Sequence, residues 1–398
     1  MNLPDNFCIA PFVQHTTHPS GSNSPCPYLG GTTWTNTGSG ILEQWSGDKL
    51  EQLRQDFLDN KKSTICNRCW HEEDNHKKSL RLRLFDPQTQ TSDYSFATPE
   101  LVKERITDKK YLVTGPAVLT IKNGNICNAK CRVCHPNDSS KWAADAAKLY
   151  TLTKERIYFN LYNRDVNWSD EQLEEIVTIS KNLVRLELFG GEPTYNKRVA
   201  ALLNRLVEVG SAKNITLYIN TNGSVNIPKR LPMLAEFHDI ELGVSLDGVG
   251  KHFNYIRHGA IYNEVIDNIL STQQFFKENN VKFWIDSIST VSILNVFYLP
   301  ELKQAVKQIL PLDPFWNLLV DPAHLYIQNI PSAIKQEVIA KLGDADDFKE
   351  LISVIQQPGD PKRWEQFLQI TEQLDSYRNE SFAETFPEFY NIIKKHKV

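Results

Sequence analysis

The chain has no cysteine after Cys134, although it runs to 398 residues. It has no apolar run approaching ~18 residues, so no membrane-spanning helix is expected. Its first residues, MNLPDNFCIAPF, lack the basic start and apolar stretch of a secretory signal. A cytoplasmic location is therefore expected, and there cysteines tend to bind metals or do chemistry rather than form disulfides. Positive charge is not in excess either: 44 Lys and Arg stand against 48 Asp and Glu, for a net charge of -4. General nucleic-acid affinity, which needs a basic face, is not expected. Internal repeats and low-complexity tracts are also absent.

What the chain does have is an ordinary globular balance, 41% hydrophobic and 23% charged, ample for a core. Its length suits two or three units, or one large α/β domain with additions. The seven cysteines are Cys8, Cys26, Cys66, Cys69, Cys127, Cys131 and Cys134. An odd number packed into the first third argues against a disulfide framework and divides naturally into four and three.

Residues 1–30 are rich in Pro, Ser, Thr and Gly around two cysteines and read as a loop held by something other than a core. Residues 46–60 read as an amphipathic helix with Leu50, Leu53, Phe57 and Leu58 at helical spacing. Residues 72–112 are charged and polar and read as a linking segment. From residue 117 the texture changes. AVLTIK, LVRLELF (183–189), ITLYIN (215–220), DIELGVSL (239–246), VKFWIDSIST (281–290) and NLLV (317–320) read as strands. Helical patterns such as 199–210 and 265–280 lie between them. Alternating strands and helices imply parallel βα units. Six units predict an α/β fold with a partial (βα)6 TIM-like barrel, whose working residues sit at the strand C-termini. The expected divisions are a loop-rich N-terminal element over 1–100, the barrel over 101–325 and a helical extension over 326–398, broken by Pro331, Pro358 and Pro361.

Directly after the first barrel strand comes NGNICNAKCRVCHPND, with Cys127, Cys131 and Cys134 spaced C-x3-C-x2-C. Three thiolates on one loop can hold three irons of a cubic 4Fe–4S cluster and leave the fourth iron open to a substrate or cofactor. Two other readings use the same residues. A structural zinc could take His135 as a fourth ligand, and Cys131-Arg-Val-Cys134-His135 matches the C-x-x-C-H pattern of haem attachment. Haem attachment would need export and would leave Cys127 unexplained. Placed at the end of a first βα strand, the motif resembles that of the radical SAM superfamily. The resemblance implies that the open iron chelates S-adenosylmethionine and that an electron from the cluster breaks its sulphonium bond. The resulting 5′-deoxyadenosyl radical then abstracts hydrogen from a substrate. One departure is Val133, where the family often has an aromatic residue.

Later strand ends extend the resemblance. The second strand runs into Gly190-Gly191-Glu192-Pro193, similar to the family's G-G-E-P loop, which implies contact with the methionine amino group. Alone it could be a tight turn, with glycines where backbone approaches closely. The third strand ends at Thr221-Asn222-Gly223 and the fourth at Ser245-Leu246-Asp247-Gly248. Small polar side chains there can bind ribose hydroxyls or a carboxylate. Arg257 could form a charge-assisted bond to the methionine carboxylate or be an ordinary helix arginine. Asn295, just past the fifth strand, also fits a family pattern.

Cys8, Cys26, Cys66 and Cys69 can enclose one metal centre with four protein ligands, and ligand count alone allows zinc or iron–sulphur. The stretch C-x-x-P-F, P-C, a Trp45-led helix and C-x-x-C-W resembles the SPASM/Twitch auxiliary-cluster modules, in their one-cluster Twitch form. Those modules usually follow the barrel, whereas here the element precedes it. Full protein ligation would suit an electron relay or a structural prop.

The resemblance implies a radical SAM oxidoreductase with two 4Fe–4S clusters, S-adenosylmethionine and a flavodoxin- or ferredoxin-type electron donor. A peptide or protein undergoing oxidation or cross-linking is the first expectation for its substrate. Dehydrogenation of a small molecule such as an aminocyclitol or sugar is the second, and a non-catalytic zinc scaffold is the reading from another class. With all seven cysteines engaged, no thiol remains to return a hydrogen atom. No cobalamin-binding domain or second S-adenosylmethionine site is visible, which disfavours methyl transfer.

Overall fold

A computed structural model of the chain describes residues 3–29, 40–74, 78–84, 99–159, 165–343 and 345–397. Its centre is one sheet of eight strands: β1 (Gln14–Thr17), β2 (Asn23–Ser24), β3 (Val118–Lys122), β4 (Arg185–Phe189), β5 (Thr216–Thr221), β6 (Asp239–Ser245), β7 (Lys282–Val291) and β8 (Phe315–Leu318). They lie in the order β2-β1-β3-β4-β5-β6-β7-β8, parallel except for the β1–β2 pair. The sheet is open, as a partial barrel requires. The six expected barrel strands are β3 to β8. The last of them spans Phe315–Leu318 rather than 317–320, because Phe315 is already in register with Ile288 of β7.

The N-terminal stretch is less loop-like than its composition suggests. A short helix, Ala10–Val13, leads into β1, which pairs parallel with β3 through Gln14↔Val118 and Thr16↔Thr120. Composition misses this because the run QHTT is polar yet wholly buried. Its neighbour is a second hydrophobic cluster, built from Phe7, Ile9, Phe12, Trp45, Leu50, Leu53, Phe57 and Trp70. The expected helix forms over Asp48–Leu58 and buries Leu50, Leu53 and Phe57. Arg54 on that helix lies 4.4 Å from the ring centres of both Trp45 and Tyr111, and its Nε donates to the Pro11 carbonyl at 2.8 Å. A planar cation can stack on aromatic faces while its edge donates.

On the helix-covered face of the barrel strands lie Leu119, Ile121, Leu186, Leu188, Leu217, Ile219, Ile240 and Leu242, all buried. The helix Lys197–Glu208 shows how this face is closed. Asn196 caps it by accepting from the Arg198 amide, and Val199, Leu202, Leu203 and Leu206 turn inward at helical spacing. Each such side chain contributes roughly 1.5–3 kcal/mol on burial.

The alternate residues face inward and are polar. Thr120 donates to Glu187 at 2.7 Å and accepts from Gln14 Nε2 at 3.0 Å. Arg185 donates from Nε to Glu187 and meets Glu241, both at 2.8 Å. Paired in this way, buried charges are tolerated.

The segment expected to link element and barrel contains short helices at Leu80–Arg83, Pro99–Ile106 and Lys110–Thr114. Its stretch 85–98 lies outside the described residues. Beyond 330 the chain is helical as expected, with helices Ser332–Leu342, Lys349–Gln356, Pro361–Arg378 and Pro387–His396. Pro331 and Pro361 start helices rather than interrupt them, since a helix's first turn needs no N–H there. Among the described residues, no helix is long and apolar enough to cross a membrane.

Candidate active site

The carboxyl ends of β3 to β6 surround a cavity of about 400 Å³. One wall is the loop after β3, which carries Cys127, Cys131 and Cys134, and the other is Gly190, Gly191 and Glu192 after β4. Asn222, Ser245 and Arg257 complete it. The two walls are joined by backbone: the Glu192 amide donates to the Ile126 carbonyl at 2.8 Å. Gly191 has φ 54°, and a Cβ there would collide with that same Ile126 carbonyl. Only glycine meets both demands.

The cysteine loop is fixed from several sides. The Lys130 and Arg132 amides donate to the carbonyls of His258 and Ile256, and Trp142 Nε1 donates to the Cys131 carbonyl. Burial, aided by Cys131 and the Glu192 carboxylate, pushes the Cys127 thiol up to about 12. Burial also raises Cys134 and Cys131, the latter against the pull of Arg257. Thiolates crowded here need positive charge between them, which is what iron supplies. Among the described residues, no three His, Cys, Asp or Glu side chains close on the point a single ion would occupy. A single zinc would draw its sulphurs to about 3.8 Å apart, given Zn–S bonds of about 2.3 Å. A cubic cluster binds each thiolate to a different iron and spreads them wider. Three cysteines sharing one wall of an open cavity are a donor set that fits a cubic cluster with one iron left open. His135 Nε2 lies 3.0 Å from Asp138, so that ring nitrogen is engaged by a carboxylate.

Glu192 is buried. Its Oε1 accepts from the Thr194 and Thr221 hydroxyls at 2.6 and 2.7 Å and from the Thr194 amide, and its Oε2 accepts from the Asn222 amide at 2.6 Å. Burial raises its pKa, and these donors oppose the rise. Arg257 lines the cavity, but its Nε is committed to Asp247 Oδ2 at 2.5 Å, and Nη1 lies 3.9 Å from the Cys131 sulphur. Asp247 is fully buried and also accepts from the Thr290 amide, so it holds Arg257 rather than facing the cavity. Asn295 Nδ2 donates to the Asp247 and Thr290 carbonyls and secures that loop. The Asn222 side chain donates to Asn128, on the cysteine loop, and accepts from Ser224. Ser245 faces the cavity directly.

Cys8, Cys26, Cys66 and Cys69 come together around a small cavity of about 30 Å³. Burial pushes the Cys26 thiol up to about 11 and Cys66 to about 12, with Cys26 and Cys69 adding to the rise at Cys66. Cys8 and Cys69 are raised too, chiefly by burial. Arg81 holds the segment before Cys8 by donating to the Asp5 and Phe7 carbonyls at 2.9 and 3.0 Å. Pro27, next to Cys26, lines the larger cavity, so the two cysteine sites adjoin along the chain.

Sequence reasoning missed Lys122, Asp138 and Ser139, which also line the larger cavity. It also missed Arg132, whose Nη2 donates to Asp375 at 2.5 Å and to Glu380 at 2.7 Å. Arg132 lies inside the cysteine motif, but its partners are more than 240 residues away. No local pattern could have joined them.

Residues 121–285 match the sequence family described as the Radical SAM superfamily. Comparison with curated proteins gives no match. Among solved structures, native anSMEcpe with bound AdoMet and Cp18Cys peptide is 20% identical over 48% of this chain and 47% of its own, with TM-score 0.33. Streptococcus suis SuiB bound to precursor peptide SuiA is 18% identical over 61% of this chain and 58% of its own, with TM-score 0.28. The matched region is about half the length of the anSMEcpe structures.

Proposed function

We propose that this chain is a radical SAM oxidoreductase acting on a peptide or protein, with Cys127, Cys131 and Cys134 holding a 4Fe–4S cluster and Cys8, Cys26, Cys66 and Cys69 holding a second one. In this reading residues 1–100 form the auxiliary element, 101–325 the barrel and 326–398 a helical extension. One observation carries the proposal: three cysteines, two buried and one half-buried, form one wall of a cavity whose facing wall is the Gly190-Gly191-Glu192 loop. When bound, the cluster and S-adenosylmethionine supply a 5′-deoxyadenosyl radical that takes a hydrogen atom from the substrate.

The protein's part is positioning. The two glycines let backbone approach the cofactor closely, and Glu192, held by Thr194, Thr221 and Asn222, presents Oε2 as an acceptor for its amino group. Arg257, fixed by Asp247, places positive charge beside Cys131, where it would pair with the cofactor carboxylate. Ser245 offers a hydroxyl at the same wall. The adjoining four-cysteine site, with every ligand from protein, suits electron acceptance from a substrate radical and hence net oxidation or cross-linking.

The test is to purify the protein without oxygen, count iron and sulphide, and record the electron paramagnetic resonance of the reduced protein with and without S-adenosylmethionine. About eight irons per chain and a spectrum that changes on adding the cofactor are expected. About four irons would leave the second cluster unsupported. Zinc in place of iron would refute the proposal.

A further inference from the structure

Beside the large cavity is a smaller one of about 30 Å³, under the β1–β2 hairpin. It shares Lys122 and Pro27 with the large cavity, and Thr16, Thr17, His18, Ser22, Asn23 and Ser24 line the rest. A water needs roughly 10–15 Å³ of such space, so the pocket offers about two oxygen-sized positions.

Lys122 ends β3 with an exposed side chain whose ammonium has no hydrogen bond or ion pair among the described residues. Thr16 is 4% exposed, and its buried hydroxyl has no hydrogen-bond partner among the described residues. His18 Nδ1 accepts from the Ser20 amide at 3.1 Å, which leaves Nε2 as the protonated nitrogen of the neutral ring. Burial first, and then the charge of Lys122, lower His18 to about 4, so the ring is neutral at pH 7. Among the described residues, no carboxylate lines this pocket. On the large-cavity side the lining carboxylates are Glu192 and Asp138, the latter engaged by His135 and also feeling the charge of Lys122. An ammonium beside an unused buried hydroxyl, in a space for two oxygens, matches a carboxylate.

We propose that this side pocket binds a carboxylate of the substrate, with Lys122 as its counter-ion and Thr16 as a donor, and so sets which substrate carbon faces the large cavity. This rests on the reading of the large cavity as the place of hydrogen abstraction. It narrows the substrate to one with an acidic side chain or a free C-terminal carboxylate close to the reacting carbon.

The test is equilibrium dialysis of labelled probes against the reconstituted protein saturated with S-adenosylmethionine. N-acetylglutamate amide is compared with N-acetylglutamine amide, and N-acetylalanine with its amide. At least one acid is expected to bind about ten-fold more tightly than its amide. The glutamate pair reports a side-chain carboxylate and the alanine pair a C-terminal one. Lys122→Met and Thr16→Val should each reduce that preference, and Lys122→Arg should restore part of it. Equal binding of acid and amide, no binding of any probe, or a preference that survives Lys122→Met overturns the proposal. So does a Lys122→Met variant that loses affinity for S-adenosylmethionine but keeps the probe preference. Formation of 5′-deoxyadenosine, read in parallel, separates the two failures. Product without probe preference sinks the side pocket alone, whereas probe preference without product sinks the radical reaction alone.

Discussion

Removing the Arg132 side chain should loosen the cysteine loop from the C-terminal extension. Arg132 is 2% exposed in its side chain, stacks 3.7 Å above Tyr255 and donates to both Asp375 and Glu380. Asp375 also accepts from the Tyr255 hydroxyl and the Phe382 amide, both at 2.6 Å, and Glu380 lies 2.7 Å from His258. Arg132→Met keeps much of the volume but leaves the largely buried Asp375 carboxylate without its cation and Glu380 with His258 alone. Breaking a buried pair in this way costs about 3–5 kcal/mol. Each 1.36 kcal/mol is tenfold in an opening equilibrium, so exchange of the amides that tie the loop should rise about 100-fold or more. Those amides are Lys130 and Arg132, bonded to the carbonyls of His258 and Ile256. Hydrogen-exchange mass spectrometry of peptides covering 127–134 and 361–380 reads the change. Adding Asp375→Asn and Glu380→Gln to the variant should recover much of the protection, because the stranded charges are then gone. Unchanged exchange in the single variant, or no recovery in the triple one, would refute this account of the link.

Other expectations follow from the same geometry. Gly191→Ala should weaken S-adenosylmethionine binding at least ten-fold, since the new Cβ meets the Ile126 carbonyl at a positive φ; calorimetric titration of the reconstituted variant checks it. Cys127→Ser should remove about four irons per chain, while Cys66→Ser should remove a different four and leave the cofactor-sensitive paramagnetic signal; equal loss of that signal in both would contradict two independent sites. Glu380 has a lowered pKa: burial would raise it, but His258 and Arg132 outweigh that effect. Its folded-state pKa lies below its unfolded value, so its stabilisation is present above about pH 4.3 and fades as pH falls through the lower folded value. Acid melting curves should therefore show less acid sensitivity for Glu380→Gln than for the parent, and parallel curves would contradict it.

The barrel was legible because its strands carry period-two and apolar runs that local chemistry forces into extended form. Leu186 and Leu188 against Arg185 and Glu187 are an example. β1 was not legible, since QHTT is polar and its burial depends on β3, more than 100 residues later. The cysteine, Gly-Gly-Glu and Ser245 positions stood out because metal and cofactor chemistry restricts residue type at fixed spacing, and the structure gathers them around one cavity. Spacing could not reveal that Asp247 turns to Arg257, or that the Asn222 side chain is spent on the cysteine loop. Those assignments depend on which neighbour arrives first within hydrogen-bonding reach. Lys122 and Thr16 belong to no motif, and only the pairing of β1 with β3 brings them to one pocket.

The central claim is that the large cavity generates a radical from S-adenosylmethionine. Its most direct test is 5′-deoxyadenosine formation by anaerobically reconstituted protein with dithionite and S-adenosylmethionine, beside the Cys127→Ser, Cys131→Ser and Cys134→Ser variants. The account predicts product from the parent and none above background from any of the three. No product from a parent with full iron content, or product that survives loss of these cysteines, would contradict it.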